Sequence, residues 1–147
     1  MGAHDVDVEL LQRVPMLRML PLPSVEQLAR GLEPVAVPAG AVVFDQGDLG
    51  DRYYVIESGE VDVVGNGQVV ATLAAGEGFG EIALLRQTRR TAAVVARTDV
   101  RLRALPSDRF LPVVAGFTAS AREAATGVDR LLDRFAPTDL PGDPPTP

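Results

Sequence analysis

The sequence contains no cysteine, no lysine and a single histidine, His4. Without cysteine there are no disulfides, no thiolate nucleophile and no cysteine-held metal. One histidine cannot build a histidine metal cluster, so metal catalysis of that kind is excluded. No apolar run approaches the roughly 18 residues that would suggest a membrane span. The acidic stretch Met1 to Leu11 lacks the basic start and apolar core of a secretory signal. Met1-Gly2 begins like a myristoylation site, but Val6 stands where Ser or Thr is required. Positive charge is also scarce: 14 basic against 20 acidic residues leave a net charge of −6 and a pI near 4.7. That balance argues against a general nucleic-acid surface. All 14 basic residues are arginine. With much Ala, Val, Gly and Pro, this suggests a GC-rich genome, and a bacterial source is expected.

At 147 residues, 46% of them hydrophobic, the chain can form one domain with a real core but hardly two. Apolar residues at Val6, Leu10, Leu11 and Val14 predict a short helix over Asp5 to Val14. Pro15, Pro21 and Pro23 break up the next stretch of chain. Ser24-Val25-Glu26-Gln27 reads as a capping box and Gly31 as a stop, which predicts a second helix over Ser24 to Arg30. From Glu33 onward the pattern changes to short runs rich in β-branched and aromatic residues. They are Pro34 to Val37, Val42 to Phe44, Tyr53 to Glu57, Val61 to Val64, Val69 to Leu73, Thr91 to Ala96 and Val100 to Leu105. Gly- and Asn-containing turns separate them, with Gly65-Asn66-Gly67 the clearest hairpin turn. Such strands predict a barrel or sandwich. Glu81 to Leu85 reads as a single helical turn set inside it. Ser107 caps a helix to about Val114, and Ser120 to Phe135 is amphipathic with Val128, Leu131, Leu132 and Phe135 on its apolar side. The proline-rich segment Pro137 to Pro147 reads as a disordered tail. The expected organisation is an N-terminal helical segment (1–32), a β core (33–106), C-terminal helices (107–136) and a tail (137–147).

The chemistry concentrates in Phe79-Gly80-Glu81-Ile82-Ala83-Leu84-Leu85 and the nearby Arg90-Thr91-Ala92. A carboxylate accepts charge-assisted hydrogen bonds from a sugar hydroxyl, and a guanidinium fork can meet two phosphate oxygens. The N–H groups opening a helix attract an anion, and Gly80 permits close approach to the main chain. Gly76-Glu77-Gly78-Phe79-Gly80 has neither dinucleotide-fold nor Walker spacing. Taken singly, Glu81 is an ordinary first-turn acid and Arg90 one of three surface cations with Arg86 and Arg89, of which only one is expected to bind. Only the joint frame of Glu81 and Arg90 is persuasive.

That frame resembles the phosphate-binding cassette of cyclic nucleotide-binding domains, the module of catabolite activator proteins, cyclic-nucleotide-dependent kinases and cyclic-nucleotide-gated channels. The family pattern, Phe-Gly-Glu-x-Ala-Leu-hydrophobic, four variable residues and Arg-x-Ala, is matched without a gap from Phe79 to Ala92. The resemblance continues upstream through Gly47-Asp48, Gly50-Asp51, Tyr54-Val55-Ile56 and Ser58-Gly59-Glu60-Val61, and covers roughly Leu17 to Phe135. It implies an antiparallel jelly-roll β-barrel with flanking helices. It also implies that Glu81 accepts from the ribose 2′-hydroxyl, helped by the Gly80 backbone, and that Arg90 pairs with the cyclic phosphate. Backbone N–H groups near Ala83, Thr91 and Ala92 complete the cradle, and Val63 and Ile82 wall the base. Asp51 is the family's acidic position for holding Arg90, although a turn residue is an equally good reading of it. Gln87 and Arg89 stand where the family often has Gly and Pro, which implies a less rigid, more positive loop. Thr91 after the arginine is a position that in the family can favour cGMP, but it equally suits a strand start, and cAMP is the expected ligand.

The resemblance thus implies a regulatory, non-enzymatic domain in the cytoplasm, free or as the cytoplasmic part of a membrane protein. Its ligand would be cAMP or, less favoured, cGMP, with no cofactor and no metal. Movement of the C-terminal helix, with one of its apolar residues as a lid over the base, would signal to a linked or partner effector, a transporter or an enzyme. The proline-rich tail offers no helix-turn-helix for DNA. The alternative is a degenerate domain of the same fold that serves as a ligand-free interaction module.

Overall fold

The computed structural model describes residues 3–114. Helix α1 (Ala3–Gln12), α2 (Pro15–Arg18) and α3 (Leu22–Ala29) open the chain. The short α2 was not expected: Pro15 does not merely interrupt but begins a helical turn, where its missing N–H costs nothing. The expected capping box at Ser24 is also corrected. Helix α3 begins two residues earlier, after Pro21, with Pro23 in its first turn. The Ser24 N–H already donates to Pro21 O at 2.9 Å, so Ser24 lies inside the turn instead of capping it.

Eight strands come next, interrupted by one helix: β1 (Glu33–Val37), β2 (Val42–Phe44), β3 (Arg52–Ser58), β4 (Val61–Gly65), β5 (Gln68–Leu73), β6 (Gly78–Phe79), α4 (Glu81–Arg86), β7 (Ala93–Ala96) and β8 (Val100–Pro106). They form two four-stranded antiparallel sheets, ordered β1-β8-β3-β6 and β2-β7-β4-β5. This is the expected jelly-roll arrangement. Pro34 sits on an edge strand, where a missing donor is tolerated. Asn66 (φ 52°) and Gly67 (φ 82°) supply the two left-handed residues of a tight β4–β5 hairpin. Strand β6 was not expected, because a glycine-rich segment looks like a turn. Gly78 is there because the Tyr53 hydroxyl lies against it and leaves no room for a Cβ.

Two cores share β3. Tyr54 and Ile56 point between the sheets and meet Val61, Val63, Phe79, Val94 and Leu102. Tyr53 and Val55 point the other way, into a helical core with Leu11, Leu17, Leu28 and Phe110. Burial on both faces explains why β3 reads as a continuous apolar run instead of an alternating one. Helix α5 (Ser107–Val114) closes the helical core through Phe110, whose ring stacks on Tyr53 at 4.7 Å. The helix expected over Ser120 to Phe135 and the tail Pro137 to Pro147 lie outside the described residues.

Candidate functional site: a cleft over the β7 and β2 ends

Helix α4 begins where Gly80, at φ 95°, turns the chain out of β6. A side chain at that position would come within 3.0 Å of the Arg90 guanidinium, so glycine serves both the backbone angle and the neighbour. Glu81 is therefore the first residue of α4 and is only 5% exposed. Burial pushes its carboxyl up to about 7, against the opposing pull of a backbone N–H and of Arg90.

Arg90 lies just before β7 and is 4% exposed. One terminal nitrogen donates to Gly80 O at 2.8 Å and the other to Arg52 O at 2.7 Å. Its Cζ stands 3.9 Å from the centroid of the Phe44 ring, and its Nε has no hydrogen-bond partner. Burial lowers the guanidinium's pKa, while Tyr54, Asp51, Glu81 and Asp48 oppose that shift. Arginine remains a cation throughout. Asp51, the residue expected to hold Arg90, is exposed and forms no hydrogen bond or ion pair with it. It contributes charge at a distance, and the two carbonyls make the direct bonds.

One cleft brings the sequence candidates together. Val63, Gly80, Glu81, Ile82, Ala83, Arg90, Thr91 and Ala92 all line it, along with Phe44, Phe79 and Val94. About 390 Å³ of empty space lies within it, counted out to its open mouth. Of the three clustered arginines only Arg90 enters. Arg89 is exposed and donates to Gly47 O at 3.0 Å. Two main-chain bonds, Gly47 N–H to Arg90 O at 2.8 Å and Arg90 N–H to Asp48 O at 2.7 Å, fasten the same loop. The segment expected to be loose is thus tied to residues 47 and 48. Thr91 belongs to the cleft and precedes β7, so it does not open the strand. Phe44 is the site residue that sequence reasoning missed: an aromatic at the end of a strand carries no mark of what it faces.

The profile of the cyclic nucleotide-binding domain family matches residues 34–117. The chain belongs to this family. By sequence the domain is similar to the cAMP-dependent protein kinase regulatory subunits of Schizosaccharomyces pombe, 42% identical over 102 residues, and of Aspergillus niger, 39% identical over 102 residues. These matches cover 69% and 68% of this chain and about a quarter of each relative's length. By structure it resembles the regulatory domain of Toxoplasma gondii PKA co-crystallised with cAMP, with a TM-score of 0.77 and 22% identity, covering 86% of this chain and 50% of that one. It also resembles the regulatory subunit of a cAMP-independent protein kinase A from Trypanosoma cruzi bound to guanosine, with a TM-score of 0.79 and 25% identity, covering 90% of this chain and 48% of that one. These two sequence relatives are fungal, so the bacterial source read from composition finds no support in them. Among the described residues no helix is long and apolar enough to cross a membrane.

Proposed function

We propose that this domain binds a cyclic nucleotide in the cleft, cAMP in preference to cGMP, and passes the binding event to a linked or partner effector in the cytoplasm. The observation that carries the reading is the pairing of a buried carboxylate and a buried guanidinium in one open cleft with an apolar wall. Glu81 accepts from the ribose 2′-hydroxyl, and Arg90 receives the cyclic phosphate. N–H groups of the first turn of α4 lack intrahelical acceptors and face developing negative charge favourably. Val63 and Ile82 pack beside the base. Preference for cAMP is supported by the names of the two sequence relatives, both cAMP-dependent protein kinase regulatory subunits.

Transmission runs through α4 and α5. Glu81 and Ile82 line the cleft while Leu84, on the same short helix, packs into the helical core beside Phe110. A ligand that draws on α4 therefore acts through the helical core on α5. Only a difference in contact between the two states can drive such a shift.

Calorimetric titration with cAMP, cGMP and AMP tests the reading. Saturable binding of cAMP, weaker cGMP and much weaker AMP are expected. Arg90→Ala should weaken cAMP by roughly 100-fold, the scale of a lost charge-assisted pair. No binding of either cyclic nucleotide at millimolar concentration would leave the ligand-free interaction module as the better account. Spin labels on Thr98 and Asp108 would report helix movement, and an unchanged distance distribution on saturation with cAMP would remove α5 from the signal path.

A further inference from the structure

We propose that Phe44 is the positioning residue for Arg90, a role that deepens the nucleotide reading above and rests on it. A register shift between Val42 and Phe44 against β7 breaks the alternation of β2, so that Val43 and Phe44 both pack toward the inter-sheet core. Bulges of this kind re-aim side chains beside sites. The redirected ring is braced by Tyr54 at 6.0 Å and Phe79 at 5.9 Å between centroids, and the latter two rings stack on each other at 5.1 Å. Arg90 Cζ lies 3.9 Å from the Phe44 centroid. With Gly80 O and Arg52 O taking the two terminal nitrogens, the guanidinium is fixed at three points.

None of these three holders carries a full negative charge. A carboxylate clamp would orient the guanidinium but also neutralise much of the field that an anion feels. An aromatic face attracts the cation through its quadrupole and leaves the net charge in place. Phe44 thereby presents to the phosphate end of the ligand an oriented cation with no carboxylate bonded directly to it, and a fixed group loses less entropy when the ligand arrives.

The test replaces Phe44 by mono-, tri- and pentafluorophenylalanine, which progressively weaken the ring's negative face while nearly preserving its shape. Binding of cAMP should fall stepwise along the series, by roughly tenfold at full fluorination, the equivalent of about 1.4 kcal/mol. Adenosine, which lacks the phosphate, should lose nothing, and the thermal midpoints should stay together. A flat cAMP series overturns the proposal, as does a parallel loss of adenosine, which would make Phe44 a wall residue. A ligand-free readout separates this from failure of the nucleotide reading. In NMR spectra the Arg90 guanidinium N–H groups should change from slow to fast rotation as the ring is fluorinated. Unchanged rotation overturns the role of Phe44, whatever the protein binds. A parent that shows ring-dependent rotation but binds no cyclic nucleotide overturns the ligand instead.

Discussion

Two residues, one at each end of α4, are held in states their side chains do not ordinarily favour. Glu81 has its pKa raised from 4.5 to about 7, chiefly by burial. The folded domain therefore holds this proton more tightly than the unfolded chain does, and its stabilising contribution is fully present below the unfolded carboxylate pKa. That contribution fades as pH rises through about 7. Ligand-free protein should thus melt progressively lower between about pH 5 and about pH 8, and Glu81→Gln, which mimics the protonated form, should lack this component. Parallel midpoint curves for parent and variant would show that Glu81 is not the titrating group. Gln87 ends α4 at φ 54°, a left-handed angle that disfavours side chains with a Cβ. This is the position at which the family often has glycine. Gln87→Gly should raise stability by about 0.5–1 kcal/mol in chemical denaturation, and a loss of stability would mean that Gln87 makes compensating contacts. Much of the candidate cleft was legible from the joint frame of Glu81 and Arg90, neither of which is distinctive alone, and the residues read from that frame line one cleft. Asp51 illustrates what was not: a sequence shows carboxylates as partners for an arginine but hides main-chain carbonyls, and two of these hold Arg90.

At the level of elements, the turns show why glycine is required in particular places. Gly59 joins β3 to β4 at φ 90°, and a Cβ there would collide with the Asp99 carbonyl in the β7–β8 turn. Gly59→Ala should therefore cost more than about 2 kcal/mol, read from urea denaturation, since neither the backbone angle nor the backbone neighbour can yield cheaply. A loss below about 0.5 kcal/mol would show that the two turns can separate freely. The same elements explain which parts of the fold could be read from sequence. Strands such as Val61–Gly65 declare themselves through β-branched residues and flanking turns. Strand β6 does not, because its glycine exists for the Tyr53 hydroxyl, a neighbour distant in sequence. Helix α3 was displaced by two residues because Ser24 offers a good cap locally, while Pro21 and Pro23 start the helix before it. The bulge in β2 is likewise silent in sequence, although it brings Phe44 to Arg90.

Across the molecule, the β sheets and the N-terminal helices are joined by burial on both faces of β3 and by one charged cluster. Arg103, on β8 beside Val55, donates through Nε to Glu57 at 3.0 Å, and its terminal nitrogen lies 3.2 Å from Asp7 on α1. The Asp7 side chain is only 10% exposed and the Arg103 side chain 20%. Two charges withdrawn from water in this way contribute little net stability as a pair, but either one left alone is costly. Arg103→Ala should therefore destabilise the domain by about 3 kcal/mol, because Asp7 remains buried without its cation. Asp7→Leu combined with Arg103→Met, which removes both charges and keeps apolar bulk, should lie within about 1 kcal/mol of the parent. A double-mutant cycle by denaturant unfolding measures the coupling between them. If Arg103→Ala costs no more than the double replacement, the cluster is solvated and α1 is held by apolar packing alone. Since Arg103 and Asp7 do not line the cleft, cAMP affinity measured well below the midpoint should be the same in all these proteins. A drop in affinity that tracks the loss of stability would instead show that the docking of α1 onto the sheet is coupled to the nucleotide site.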